Sequence, residues 1–426
     1  MSEPLRTQPP RFGIAIDIGT TTLAAGLVRT DDGGTLGTAS MPNPQSRWGM
    51  DVLSRINAIA EDPSLLGELN RAVIDACNGL ISKLIEASGL DRGGMAEITA
   101  AGNPAMEHIL LGISPESMAK VPYRPAFKDS RRIRAAEAGL EAPPETMLYV
   151  FPLIGGFVGG DAVAAALATG ISGTAEKTLM IDIGTNSEII LSTRQRIFAT
   201  SAAAGPAFEA GQIRHGMTAE AGAICGVKAN GDGIRLDVIG GVTPKGICGS
   251  GLVEAVSELL RAGIVDETGR IRSPEEVATN LANRISTSEG GSSFVLFRGP
   301  AAEITLDQSD IRALQVAKAA IRAGISVLLE RSGTAREEIE RVYVAGAFGS
   351  HIKDEALARI GLLDKGWLGR VESVGDAALE GAKLALLGED PKKEAEEIAR
   401  RTSYVSLSGS RHFEREFIRN MNFTQQ

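Results

Sequence analysis

Cysteine is scarce in this chain. Cys77, Cys225 and Cys248 are the three thiols in 426 residues, and no two have metal-clip or redox spacing. Scattered thiols of this kind fit small buried hydrophobes in a reducing cytoplasm better than a disulfide framework. Aromatic residues are also few, with four tyrosines and two tryptophans, which argues against base stacking as the main activity. The net charge of −9 leaves no basic excess for nucleic acid or an anionic membrane surface. The opening stretch MSEPLRTQPPR has no apolar centre of a signal peptide, and no apolar run approaches membrane-spanning length. His108, His215, His351 and His412 have no metal-ligand spacing. The Gly-x-x-x-x-Gly-Lys-Ser/Thr phosphate loop is missing, as is a Gly-x-Gly-x-x-Gly turn after a strand, so two common nucleotide folds are excluded.

What the chain does have is a phrase written twice. The first copy runs from Gly13 to Ala24 and carries Asp17, Gly19, Thr20, Thr21 and Thr22. The second runs from Leu179 to Ile190 and carries Asp182, Gly184, Thr185, Asn186 and Ser187. Each is an apolar strand ending in Asp-Ile-Gly-Thr, then polar side chains, then a second apolar strand. Glycine permits a sharp turn, and successive backbone N–H groups in such a turn make an anion site. An aspartate at each strand end would repel bare phosphate, and it makes sense with Mg2+ and its waters between them. One copy alone would read as an ordinary hairpin. Two copies at domain-scale separation predict two related halves, each presenting a phosphate-binding hairpin to a shared cleft.

Hydrophobic content of 43% supports a large core. The pattern predicts a polar flexible tail over 1–11, a first subdomain over 12–175 and a second over 176–385. A turn-rich insertion is expected at 266–300, and a helix and strand extension over 386–426. Strands are expected at 12–18, 22–29, 96–101, 178–183, 187–191 and 341–345. Long helices fit 64–88 and 306–331 from their apolar spacing. Pro104 suits the first turn of a helix that follows Gly102-Asn103. The stretch GGFVGGDAVAAALATG at 155–170 reads as a glycine-rich turn, Asp161 and a tight alanine-rich helix. Asp161 reads equally as a helix cap or as a carboxylate facing a cleft. A second small-residue helix opens at Gly375-Asp-Ala-Ala.

Five pieces therefore stand in one order: a hairpin with Asp17, the Asp161 helix, a hairpin with Asp182, a Val344-Ala-Gly-Ala-Phe-Gly turn, and the Gly375 helix. That order resembles the nucleotide-binding superfamily of acetate and sugar kinases, heat-shock chaperone ATPases and actin (ASKHA). The resemblance implies an α/β fold of two ribonuclease H-like, actin-like ATPase subdomains around a nucleotide cleft. The stretches NPQSRWGMDVLSRI, AGNPAMEHILLGI, SAAAGPAFEAGQIRHGM, ICGSGLVEAVSELLRAGI and VAGAFGSHI narrow it, because they resemble the ATPase domain of reductive activators of corrinoid proteins. This narrower resemblance implies ATP hydrolysis that drives a corrinoid methyl-transfer protein from Co(II) to Co(I).

By that resemblance Asp17 and Asp182 hold Mg2+, mainly through water. Gly19, Thr20, Thr21, Thr22, Gly184, Thr185 and Asn186 bind phosphates, and Asp161 orients or deprotonates the attacking water. Gly346, Ala347, Phe348 and Gly349 take the adenosine. Asn103 either touches the terminal phosphate or is a plain turn asparagine. Glu209 and Gly249 lie near the nucleotide. Such activators usually begin with a [2Fe–2S] domain, which needs a tight group of thiolates. No such group exists in this sequence, so the electrons are expected from a separate iron–sulfur or flavin protein. The corrinoid protein is the expected partner, and a homodimer is a further candidate. The alternative is a small-molecule kinase on the same fold, with Asp161 as base for a substrate hydroxyl.

Overall fold

A computed structural model describes residues 11–231, 233–288, 291–300, 303–346 and 352–423. The chain forms two compact units. The first is Met1–Thr174 with Asp376–Tyr404, and the second is Ala175–Gly375 with Val405–Gln426. This corrects the expected partition at two points, the first being that Val405–Gln426, expected in a C-terminal extension, belongs to the second unit. Second, residues 376–404, which the sequence pattern divides between the second half and a separate extension, pack into the first unit.

The sheet of the first unit contains β1 (Phe12–Ile18), β2 (Thr22–Arg29), β3 (Thr35–Pro42), β4 (Met95–Gly102), β5 (Arg131–Arg134) and β6 (Met147–Val150), in the order β3-β2-β1-β4-β6-β5. β1, β2 and β3 form an antiparallel meander, and β4 runs parallel to β1 and then to β6. β1 is buried almost throughout because both of its faces are covered. Its Ile14, Ile16 and Ile18 share one core with Val73, Cys77 and Leu80 of α2 (Leu65–Ser88). On the other face Gly13 leaves room for Leu386, just past α8 (Ala377–Ala385), and Thr99 Oγ1 donates to the carbonyl of Ala382 at 2.7 Å. Helix α9 (Glu389–Arg401) is fastened to the same sheet by Lys392, whose Nζ lies 2.7 and 2.6 Å from the two oxygens of Glu97. Three further helices complete the unit: α1 (Val52–Glu61), α3 (Pro104–Leu110) and α4 (Gly160–Thr169).

The second unit repeats that topology. β7 (Thr178–Asp182), β8 (Asn186–Ser192) and β9 (Ile197–Ala203) form an antiparallel meander, and β16 (Arg341–Ala345) and β17 (Val371–Gly375) add parallel strands beyond β7. The order β9-β8-β7-β16-β17 matches β3-β2-β1-β4-β6 of the first unit. The duplicated phrase thus marks a duplicated sheet, with each copy at its centre. The other strands are β10 (Ala223–Asn230), β11 (Gly233–Val238), β12 (Gly246–Ile247), β13 (Ile285–Ser288), β14 (Gly291–Arg298) and β15 (Glu303–Asp307). They form two small sheets, β11-β10-β12 and β13-β14-β15. The 266–300 stretch is therefore built into the unit more firmly than a turn-rich insertion would be: Leu281, Ile285, Phe294 and Leu296 belong to the core. Helices α5 (Gly249–Arg261), α6 (Gln308–Ser332) and α7 (Asp354–Arg359) supply much of the rest, including Leu252, Val256, Ile321, Ile325 and Leu357. Among the described residues no helix is long and apolar enough to cross a membrane.

Candidate nucleotide site

In the first unit the turn after β1 is held from behind. Asn43 Nδ2 donates to the Gly19 carbonyl at 2.8 Å, Arg55 Nη2 to the Thr20 carbonyl at 2.6 Å, and the Asn43 amide to the Thr21 carbonyl at 2.7 Å. A trans peptide sets its C=O and N–H on opposite sides. Three consecutive carbonyls drawn towards Asn43 and Arg55 therefore turn the amides of Thr20, Thr21 and Thr22 the other way, as an anion-binding nest requires. Arg55 is fully buried, its Nε donates to the Gly49 carbonyl at 2.9 Å, and its Nη1 to Gln45 Oε1 at 3.2 Å. Burial lowers its pKa to about 10, so the guanidinium stays charged at neutral pH.

Asn103 caps α3: its Oδ1 accepts the Met106 amide at 3.1 Å, and its Nδ2 donates to Thr20 Oγ1 at 3.0 Å. The cap reading and the cleft reading thus meet in one side chain, since the capping asparagine also grips the hairpin. The start of α4 lies against the same point. A Cβ on Gly159 would sit 2.4 Å from the Gly102 carbonyl and 2.6 Å from Asn103 Cα, so only glycine allows this approach. Gly159 is the N-cap of α4, and Asp161 is the second helical residue, which corrects the reading of Asp161 as the cap. Its Oδ1 accepts the Ala162 amide at 2.7 Å. Burial pushes the Asp161 carboxyl up to about 6, against the downward pull of the amides of Ala162, Gly159 and Asp161 itself. Beneath it lies Glu107 of α3, fully buried. The first unit thus brings the Gly19–Thr22 turn, Asn103 and Asp161 to one place, with Asp17 at the end of β1 beside them in sequence and paired with Ala24 across the hairpin.

In the second unit Asp182 ends β7 opposite Ala345 of β16 and Glu188 of β8. Gly346 follows with φ 109°, and its amide donates to the Gly375 carbonyl at 2.9 Å. This left-handed residue brings the β16 turn against the hairpin, because a Cβ there would be 2.6 Å from the Ile183 carbonyl and 3.4 Å from Asp182 Oδ1. The hairpin is tightened differently from the first. Ser187 Oγ donates to the Gly184 carbonyl at 3.1 Å, and the Thr185 amide donates to Glu209 Oε1 at 2.9 Å. The second oxygen of Glu209 is buried and has no hydrogen-bond partner among the described residues. Asn186 opens β8, and Gly249 is the first residue of α5, which packs against the turn Pro206–Glu209. So Asp182, Gly184, Thr185, Asn186, Gly346 and Glu209 gather in the second unit, with Gly249 one packed element away. Ala347, Phe348 and Gly349, expected at the adenosine, lie outside the described residues.

Four working residues escaped the sequence reading: Asn43, Gln45, Arg55 and Glu107. All sit in the quoted stretches NPQSRWGMDVLSRI and AGNPAMEHILLGI, but on a helical pattern a buried Arg or Glu looks like a surface residue. The donor chemistry of both hairpins suits a magnesium nucleotide. Carboxylates end the central strands, and backbone amides and hydroxyls form the turns, which is the sparse, water-completed set Mg2+ accepts. Among the described residues no group of three or more His, Cys, Asp or Glu forms a closed metal cage.

These features define a two-unit, actin-like nucleotide-binding protein of the ASKHA class. The comparisons give the particular family. Residues 176–426 match the model described as the C-terminal domain of RACo, the ASKHA domain, and residues 12–174 match the RACo middle region. The chain is 32% identical over 422 residues to corrinoid activation enzyme RamQ of Eubacterium limosum, covering 98% of this chain and 71% of the relative. It is 26% identical to a [Co(II) methylated amine-specific corrinoid protein] reductase of Methanosarcina barkeri, covering 97% and 77%. A solved reductive activator for corrinoid, iron-sulfur protein superposes with a TM-score of 0.91 at 37% identity, covering 98% of this chain and 66% of that one. The chain belongs to the RACo family of reductive activators of corrinoid proteins, and it spans about two thirds to three quarters of the length of these relatives.

Proposed function

We propose that this chain hydrolyses ATP to drive a corrinoid methyl-transfer protein from Co(II) to Co(I), with one electron per cobalt coming from a separate iron–sulfur or flavin protein. Asp161 carries the reading. It is a half-buried carboxylate at a helix start, joined through Asn103 to the phosphate-type hairpin. Burial pushes its pKa up to about 6, near the range where a general base is ionised yet basic. In this proposal Asp161 orients the attacking water and takes its proton. The amides of the Gly19–Thr22 turn and the polar side chains of the Gly184–Asn186 turn bind phosphate oxygens, and Gly346 borders the adenosine. Asp17 and Asp182 would hold Mg2+ through water, and the ion would offset phosphate charge. Cys77 and Cys248 are buried, and burial pushes the Cys77 thiol up to about 12.

The test is cob(II)alamin reduction on a corrinoid partner with an external reductant, followed by absorbance, with and without MgATP. ATP should accelerate Co(I) formation and be converted to ADP and phosphate, and D17A, D161A and D182A should each abolish both. Full activity in all three variants, or equal Co(I) formation without ATP, would overturn the proposal. A metabolite that becomes phosphorylated would favour the kinase alternative instead.

A further inference from the structure

Glu107 is a buried acid with no cation paired to it among the described residues. It sits on α3, in the stretch AGNPAMEHILLGI, and its side chain is fully buried. The titratable groups facing it are Asp161 on α4 and Tyr149 on β6. A leucine would fill such a place at lower cost, since burying an acid is unfavourable without partners. The partners it does have are informative. Oε1 accepts the amide of Gly102 at 3.2 Å, and the backbone of Gly160 lies against the same oxygen. A Cβ on Gly160 would lie 2.1 Å from Oε1, so the helix start is pressed onto this side chain. Gly102 ends β4 and Gly160 opens α4, so both amides lie where the backbone has run out of its own partners. Each is followed directly by a site residue, Asn103 in one case and Asp161 in the other.

We infer that Glu107 is a positioning residue: by accepting the amide of Gly102 and bearing on the Gly160 backbone with the same carboxyl oxygen, it fixes Asn103 and Asp161 in a common frame. This rests on the reading of Asp161 as the group that orients water for ATP hydrolysis. Burial first, and then the charge of Asp161, drive the Glu107 carboxyl well above the ordinary carboxylate range, which favours its protonated form. The proton belongs on Oε2, which has no hydrogen-bond partner among the described residues. An unbonded buried hydroxyl costs far less than a bare buried charge. Glutamine reproduces this state, with a carbonyl that accepts and an uncharged donor in place of the hydroxyl. Leucine keeps the volume and removes the acceptor.

The experiment compares the full-length protein with E107Q and E107L. ATP turnover is measured at saturating MgATP, and hydrogen exchange is followed in the segment 157–164. E107L should lower kcat at least tenfold, change KM by less than about threefold, and speed exchange of that segment. E107Q should keep kcat within about threefold of the parent, with parental exchange. A fully active E107L with unchanged exchange overturns the inference. So does an E107Q as impaired as E107L, because the proton rather than the acceptor would then matter. If E107L does not fold, E107Q decides alone, and tenfold lower kcat or faster exchange in it counts against the inference. If the parent protein hydrolyses no ATP, the functional reading fails, and unchanged exchange in E107L would still refute the common frame.

Discussion

Replacing Gly381 by alanine tests the packing that locates Asp161. Helices α4 and α8 of the first unit cross where a Cβ on Gly381 would lie 1.9 Å from the Ala164 carbonyl oxygen and 2.3 Å from its carbon. Both obstacles are backbone, so no rotamer change relieves them, and the helices must separate. Overpacking of this kind costs about 1–3 kcal/mol, and a backbone clash this close belongs at the top of that range. Alanine recovers about 1 kcal/mol of helix propensity. A net loss of about 2 kcal/mol follows, or a fall in melting temperature of roughly 4–8 °C for a unit of this size. Ala164 stands one turn beyond Asp161 on α4, so the same separation displaces the carboxylate. A misplacement of about 1 Å costs on the order of 100-fold in rate. Gly79→Ala is the matched control: Gly79 lies inside α2 with nothing within 4 Å of the added Cβ. It should raise stability by up to about 1 kcal/mol and leave turnover unchanged. Thermal melts and a coupled ADP assay on both variants decide the matter. A G381A protein that melts at or above the parent, with full turnover, refutes the described crossing.

Asp161 should impose an acid limb on ATP turnover with a midpoint near its pKa of about 6, seen as loss of kcat below that pH. Its folded pKa lies above the ordinary 3.8, so folding binds the proton more tightly and the charged form is the destabilised one. D161N should therefore melt higher than the parent at pH 8, and the advantage should vanish as pH falls through 6 towards 4, while turnover drops at least 100-fold throughout. Arg55→Met should weaken MgADP binding tenfold or more by calorimetry, although Arg55 donates to the back of the hairpin at the Thr20 carbonyl. An unchanged Kd would show that the hairpin needs no such support. Lys392→Met should lower the urea midpoint by removing one partner of a pair whose lysine is 3% exposed and whose Glu97 is 21% exposed. The loss should fall at or below the low end of the roughly 3–5 kcal/mol for a fully buried pair, and adding E97Q should recover part of it.

The strands at 12–18, 22–29 and 341–345 were legible because a continuous apolar run, bounded by glycine or charge, has few other uses. The hairpin residues were legible for the same reason, repeated twice. The sheet within 266–300 was not, because β13 reads Ile-Ser-Thr-Ser with three exposed residues and its apolar contribution is spread over Ile285, Phe294 and Leu296. The expected helix at Leu306 begins two residues later because Asp307 caps it, closing a box with Asp310. The return of 376–404 to the first unit is a matter of topology rather than local pattern. It depends on which small-residue helix accepts Gly381, and one-dimensional spacing does not encode that. Arg55 and Glu107 were hidden because their polarity points to solvent in a pattern, whereas in the fold each satisfies backbone groups that would otherwise be buried and unbonded.

The grip of Asn43 and Arg55 on the Gly19–Thr21 carbonyls has a thermodynamic result. Fixing the backbone of a residue costs roughly 1–2 kcal/mol of conformational entropy. For three residues held this way, about 3–6 kcal/mol is settled when the polypeptide folds, not when ligand arrives. At about 1.4 kcal/mol per decade, that is some two to four orders of magnitude of affinity that preorganisation spares the nucleotide.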